Sequence, residues 1–456
     1  MVRKHTMTTP AHLPLSRIAF YALPGFALAM PTIPAAVFLP SVYATELGLA
    51  AAGAALLLAR ASDVITDPLV GALSDRWRNR FGRRKPWILL GALLAGYSLL
   101  KLFQPPVGVT TGYVTLWAVL LYLGWTMINV PYTAWGAELT GNYHERVKVT
   151  SGREGVMLLG IFAAGTVPVF AASAGLSERE ALGIISWLAV IAGGPFILLM
   201  LWRVPDPLPQ RPPARSPLSI AKGWRALKAM SGNKPFMRLL AAWFINGLAN
   251  GIPSSLFLLF LQHRLDADQA ERGILILVYF LAAVLSIPAW SGLSARIGKH
   301  RAWCWAMIVT CMAFIWVPML PPGAVWAFGV VCVVTGVGLG ADLALPPALQ
   351  ADVVDFDTLR HKQERAGLFF ALWSMSTKLA LAVAVGLAFP ALAALGFNPK
   401  AEQNSPSALW ALAVIYALVP VVLKLIAIAL VWAFPITASR QRIIRKRLDA
   451  LAARSV

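Results

Sequence analysis

The stretch Arg60-Ala-Ser-Asp63-Val-Ile-Thr-Asp67-Pro68-Leu-Val-Gly71-Ala-Leu-Ser74-Asp75-Arg76 decides how the chain is read. It belongs to an apolar run from about residue 50 to 74, long enough to cross a ~30 Å hydrocarbon layer as a helix. At 100° per residue, positions 60, 63 and 67 fall within about 60° of one another on a single helical face. Ionisable groups at that depth cost several kcal/mol unless paired or hydrated, so this stripe must face a polar interior. Two carboxylates one turn apart repel each other unless a cation or a proton lies between them. Oxygen ligands suit a hard ion such as Na⁺, and one carboxyl can equally carry a proton. An internal Arg60–Asp63 ion pair that only locks packing is the competing explanation, but it leaves Asp67 without a role. Pro68 lacks an N–H and frees a carbonyl one turn earlier, a further oxygen for such a site or a bend in the helix.

Outward from this stretch the composition repeats the theme. The 456 residues are 58% hydrophobic and 13% charged, against ~45–50% and ~25% in soluble domains. Twelve apolar runs can be marked, at about 18–44, 50–74, 87–103, 112–137, 149–174, 181–202, 236–261, 270–292, 303–320, 324–348, 366–394 and 407–434. The first is too long for the apolar core of a cleaved signal peptide. The expected class is therefore an all-α polytopic membrane protein of twelve transmembrane helices. An even number puts both termini on one side. Most of the 40 Lys and Arg fall on that side, and only Lys101, Arg179, Arg264, Arg272 and Lys400 fall in the opposite loops, so both termini are expected in the cytoplasm. The net charge of +20 is then mostly a cytoplasmic fringe and implies no nucleic acid.

A proline-rich, basic connection divides the chain. The expected organisation is an N-terminal six-helix bundle (1–202), a cytoplasmic linker (203–235), a C-terminal six-helix bundle (236–436) and a basic tail (437–456). The halves echo each other. Leu73-Ser74-Asp75-Arg76 and Gly82-Arg83-Arg84-Lys85-Pro86-Trp87 after run two match Leu293-Ser294-Ala295-Arg296 and Gly298-Lys299-His300-Arg301-Ala302-Trp303 after run eight. Glu138 at the end of run four corresponds to Asp352 at the end of run ten.

Few other polar groups enter the apolar runs. Thr126, Asn129 and Pro131 form a polar, helix-weakening segment of run four, able to ligate an ion or a hydroxylated solute, or simply to bridge helices. Asp342 precedes Pro346-Pro347 in run ten and can contact substrate, carry a proton, or pair with Lys378 or Lys424. Lys378 lies too deep in run eleven to snorkel; Lys424 in run twelve reads as structural. All six histidines lie in tails or loops, and Cys304, Cys311 and Cys332 lack metal or disulfide spacing. No His-Glu-x-x-His, nucleophile elbow or P-loop is present. Neither a membrane enzyme nor an ATP-driven pump has its chemistry here; no cofactor is expected, and energy must come from a Na⁺ or H⁺ gradient.

Read together, Arg60 to Gly71, Ser74-Asp75-Arg76, Arg80-Phe81-Gly82-Arg83-Arg84-Lys85-Pro86-Trp87, Val130-Pro131-Tyr132, His144-Glu145-Arg146, and Ala351-Asp352-Val353-Val354-Asp355-Phe356-Asp357 resemble the glycoside–pentoside–hexuronide:cation symporter family of the major facilitator superfamily. The resemblance spans nearly the whole chain. It implies that Asp63 and Asp67 hold the coupling cation, with Thr126 and Asn129 as further ligands. It implies that Arg153 and Lys378 lie at the solute site; Gly25 and Asn129, which stand at aligned positions, and Asp342, from its place in run ten, are the further candidates for that site. Arg60, Asp75, Arg76, Glu138, Arg146, Asp352 and Arg365 would form a network of ion pairs that breaks as the cytoplasmic side opens. Two departures bear on the substrate. Asn129 stands where melibiose-type symporters carry an acid, and Pro24-Gly25 stands where they carry a Lys-Asp pair, which weighs against a galactoside held by two carboxylates. The lysolipid-carrying relatives also lack that span-one acid.

The expected function is cation-coupled symport of a glycoside or other small organic solute across the inner membrane by alternating access. The rivals are symport of an amphiphile such as a lysolipid, drug:proton antiport, and a non-transporting membrane scaffold. Expected partners are membrane lipids and the small-molecule or amphiphilic substrate, with the chain acting as a monomer.

Overall fold

A computed structural model describes residues 13–45, 55–56, 59–60, 62–76, 81–106, 108–206, 230–399, 401 and 403–453. The linker from 207 to 229, the start of the second expected span and Arg80 lie outside the described residues. The described residues form helices and no β-strand. In chain order these are α1 (Leu15–Ala22), α2 (Pro24–Ala29), α3 (Thr32–Thr45), α4 (Asp63–Arg76), α5 (Lys85–Phe103), α6 (Thr111–Glu138), α7 (Tyr143–Ser173) and α8 (Glu178–Arg203). There follow α9 (Lys234–His263), α10 (Gln269–Ile297), α11 (Lys299–Ile315), α12 (Val325–His361), α13 (Ala366–Ala394), α14 (Pro406–Ala413), α15 (Val419–Val431) and α16 (Ala438–Ala453).

Among the described residues, ten helical segments are long and apolar enough to cross a membrane. Of the two other expected spans, α4 is described only from Asp63 onward, and α7 is a 31-residue helix whose first half carries Glu145, Arg146, Lys148, Arg153 and Glu154. Prolines reshape the expected runs. The first is divided into α1, α2 and α3 around Pro24 and Pro31, although Leu23 and Met30 keep right-handed helical angles. The twelfth is interrupted by a π-turn, Val414–Leu418, before Pro420. Helix starts follow elementary capping. Ser177 with Glu180 and Asp268 with Glu271 form capping boxes at α8 and α10, and Asn233 caps α9.

The chain divides into two compact units. Unit 1 takes residues 1–215 together with 358–372 and 445–456; unit 2 takes 216–357 and 373–444. In unit 1, α5 lies against α6 where a Cβ on Gly124 would meet the backbone of Ala95, and small residues at such a crossing let backbones approach. Its buried core includes Tyr21, Ile88, Phe103, Ile128, Tyr132 and Trp135. In unit 2 the core includes Phe260 and Tyr416, stacked with ring centroids 4.3 Å apart, and Phe328. Within a bilayer such packing supplies the helix–helix affinity, because lipid tails are as apolar as leucine. Outward-facing Leu90, Leu93, Leu198, Leu285 and Leu425 are accordingly exposed.

Candidate functional site

The two carboxylates that opened the sequence lie in the first turns of α4, and both are buried: Asp63 is 3% exposed and Asp67 0%. Thr126, midway along α6 and 1% exposed, points its hydroxyl between them. Thr126 Oγ1 donates to Asp67 Oδ1 at 2.6 Å and stands 3.4 Å from Asp63 Oδ1. Three hard oxygens therefore converge from two helices. Asn129 lies three residues further along α6, on the same face as Thr126. Its carbonyl accepts from Thr133, and its carboxamide makes no hydrogen bond among the described residues. Arg60, expected in the charge network, is exposed and forms no ion pair among the described residues.

A second cluster of unit 1 surrounds Arg153. It is buried and bonds to the neighbouring Glu154, and its guanidinium stands 5.8 Å from the centre of the Tyr132 ring. Tyr132 and Tyr21 interlock, each hydroxyl donating to the other's backbone carbonyl, at 2.8 and 2.6 Å. Gly25 is accounted for by packing: a Cβ there would stand 2.9 Å from Met157 and 3.2 Å from the Arg153 carbonyl.

Around the start of α5 in unit 1 the basic motif becomes a fork. Arg84, 0% exposed, pairs with Asp75 and Glu138, both at 2.7 Å, and donates to Ser74 at 2.9 Å. Arg83 pairs with Glu138 and, at 3.0 Å, with Glu364. Asp75 also accepts from the backbone N–H groups of Gly367 and Leu368, at 2.8 and 3.0 Å, in the first turn of α13. The N-terminal end of α5 is held by Asp206, whose Oδ2 accepts from the N–H groups of Arg84 and Lys85. Burial pushes the Asp206 carboxyl above its usual range although those two N–H groups pull the other way. Its other oxygen, Oδ1, is buried with no hydrogen-bond partner among the described residues. Arg146 donates to the Thr140 carbonyl at 3.1 Å. Arg365 immediately precedes α13. Arg76 forms no ion pair among the described residues.

Unit 2 carries the echoed pair. Lys299, at the start of α11, bonds to Asp352 of α12 at 2.6 Å, both side chains fully buried. Gly82 and Gly298 precede Arg83 and Lys299 with φ of +111° and +91°, a region that a Cβ disfavours. Each unit thus turns on a glycine and follows it with a cation paired to an acid of a long helix, Glu138 at the end of α6 and Asp352 within α12. Asp342, expected at the solute site, has both oxygens engaged. Oδ1 accepts from the Trp303 indole at 2.5 Å, and Oδ2 accepts from Asn246 and Asn250 at 3.2 and 2.8 Å. Lys424 joins them, donating to both asparagine oxygens. Lys378 lies half-buried in α13, beside Thr377, which accepts from the Trp243 indole at 2.7 Å. Trp243 stacks on Trp373 with centroids 4.5 Å apart. Sequence reasoning passed over Asn246 and Asn250; their i, i+4 spacing in an apolar helix was the available signal.

Long apolar helices enclosing a few convergent acids, amides and cations define a membrane transporter. The sequence matches the family described as MFS/sugar transport protein over residues 20–438. The chain belongs to that family and is a multi-pass transporter of the glycoside–pentoside–hexuronide:cation symporter kind, not an enzyme. It is 26% identical to the sodium-dependent lysophosphatidylcholine symporter 1 of Mus musculus, over 87% of this chain and 80% of that one. It is also 26% identical to the glucuronide carrier protein homolog of Escherichia coli (strain K12), over 93% and 92% of the two chains. The proton:xylose symporter XylE, solved with 6-bromo-6-deoxy-D-glucose bound, shares the fold with a TM-score of 0.64 at 16% identity, over 94% of this chain and 98% of that one.

Proposed function

We propose that the chain is a cation-coupled symporter that carries a glycoside or another small organic solute across the inner membrane by alternating access, with both termini in the cytoplasm. Asp63, Asp67 and Thr126 hold the coupling ion, Na⁺ or H⁺. Asn129 lies on the same helical face and links ion to solute. Arg153 and Lys378 contact the solute, and Asp342 is assigned to the polar circuit of unit 2. The fork of Arg83 and Arg84 with Asp75, Glu138 and Glu364 is the set of ion pairs that yields as the cytoplasmic side opens, and Lys299–Asp352 is its counterpart in the second unit. One observation carries this reading: two buried carboxylates and a hydroxyl within 3.4 Å of both. Two anions held so close inside a membrane protein are an incipient cation site.

A second substrate reading, symport of an amphiphile, is supported by the apolar first run. Gly25 is closed off by Met157 and offers no acid for a sugar hydroxyl. Proteoliposomes separate the two. Accumulation of a glucuronide or galactoside under an imposed Na⁺ or pH gradient supports the glycoside reading, and accumulation of a lysophospholipid supports the amphiphile reading. Solute entry that ignores both gradients refutes coupled symport.

A further inference from the structure

Four side chains close a ring inside unit 2. Asn246 and Asn250, one turn apart on α9, both reach Asp342 of α12 and Lys424 of α15. Their amide nitrogens donate to Asp342 Oδ2, at 3.2 and 2.8 Å, and their oxygens accept from Lys424 Nζ, at 2.9 and 2.8 Å. The ammonium stands 3.9 Å from that carboxylate oxygen. Asn246, Asp342 and Lys424 are at most 5% exposed.

This is not the geometry of a simple ion pair, in which the ammonium would sit against the carboxylate at about 2.7–2.9 Å. Here the two neutral oxygens lie nearer to the charge than the anionic one. Reversing either amide would turn its NH₂ toward the ammonium and its oxygen toward the carboxylate, so the ring holds together in one sense only. Around Nζ are gathered two carbonyl oxygens and one carboxylate oxygen from two helices, the donor set that hard cations take. Trp303, donating to the far carboxylate oxygen, fixes the anionic member. Lys424 delivers its charge to this nest on a flexible four-carbon stem from a third helix.

We propose that Asn246, Asn250 and Asp342 form a monovalent-cation site whose occupant is the chain's own Lys424 ammonium. The inference rests on reading Asp63 and Asp67 as the exchangeable ion site and goes beyond it. Unit 2 meets its cation requirement with a tethered charge, which leaves one exchangeable ion site per transport cycle.

Replacing the lysine while keeping the oxygens tests this. Lys424→Ala is made on an Asp63→Asn/Asp67→Asn background, which silences the site of unit 1. The purified full chain is unfolded thermally in choline chloride and, at equal ionic strength, in NaCl, KCl or methylammonium chloride. The background protein, with Lys424 present, should show no preference among the salts. Lys424→Ala should gain a saturable stabilisation by a small cation over choline, with methylammonium the nearest mimic of the lost group. Adding Asp342→Asn should abolish that gain. Equal unfolding temperatures in choline and in every small cation overturn the proposal, as does a shift that survives Asp342→Asn. If Lys424→Ala cannot be purified in choline, recovery in methylammonium supports the site. Failure in every cation, while Asp342→Asn/Lys424→Met purifies normally, refutes it. The ion site of unit 1 is read separately, as a Na⁺ or pH response of the unmodified chain that Asp63→Asn/Asp67→Asn removes.

Discussion

Asp67→Asn should remove most of the affinity for the coupling ion. The Thr126 contacts of 2.6 and 3.4 Å hold one oxygen of each carboxylate no more than about 6 Å apart. Two unit charges at ~6 Å repel by about 3 kcal/mol at an effective dielectric of ~20, and a cation at ~4 Å from one of them gains about 4 kcal/mol. Asp67→Asn removes one member of that pair. The same change removes about 4 kcal/mol of attraction, roughly a thousandfold in Kd. Asparagine keeps an oxygen for the Thr126 hydroxyl, so the hydrogen bond is not the variable. The assay is thermal unfolding followed by tryptophan fluorescence, in NaCl and in choline chloride at pH 6 and pH 8, together with gradient-driven uptake in vesicles. The variant should lose the parent's ion-dependent shift in unfolding temperature and lose accumulation. A variant that still responds to Na⁺ or to pH as the parent does would refute the electrostatic account.

Three further outcomes follow from described contacts. Asp352→Asn leaves Lys299 as a fully buried charge without its acid and should cost about 3–5 kcal/mol, whereas Lys299→Met/Asp352→Leu should unfold close to the parent; equal losses in the single and double variants would count against a true pair. Asp206 titrates above the usual carboxylate range in the folded chain, so the folded state binds its proton more readily than the unfolded one. Its contribution is therefore present at low pH and lost as pH rises through the folded pKa, and Asp206→Asn should flatten that part of the stability–pH curve; an unchanged slope would exclude it as the source. Gly298→Ala forces a Cβ onto a φ of +91° and should cost roughly 1 kcal/mol or more, visible as a lower unfolding temperature with ion responses intact.

What the sequence made legible was whatever depends on local periodicity. Asp63 and Asp67 share a face because their spacing is nearly one turn, and the long apolar runs announce helices because crossing a bilayer requires them. The glycine-led echo at 82 and 298 was equally readable, and the structure gives both glycines a positive φ. Less legible was whatever depends on which helices meet. Asp342 had Lys378 and Lys424 as equal candidates, and only the approach of α9, with two neutral asparagines, connects it to Lys424. Arg60 would share a stripe with Asp63 on one continuous helix, but α4 begins at Asp63 after a turn at Ser62, and Arg60 is exposed. Gly25 likewise shows a packing role that the motif alone did not reveal, where α2 is pressed on α7. A glycine in a resembling motif records a short distance as readily as a ligand.

The unequal chemistry of the two echoed pairs has a mechanical consequence. Arg83 and Arg84 divide their N–H groups among Asp75, Glu138 and Glu364, so this junction can give up one partner while retaining the rest and can loosen in graded steps. Lys299 is held against Asp352 and the Ala348 carbonyl, at 2.6 and 3.2 Å, with both side chains sealed from solvent, so parting this pair uncovers a buried charge. One half of a duplicated chain has kept a ratchet, the other a bolt.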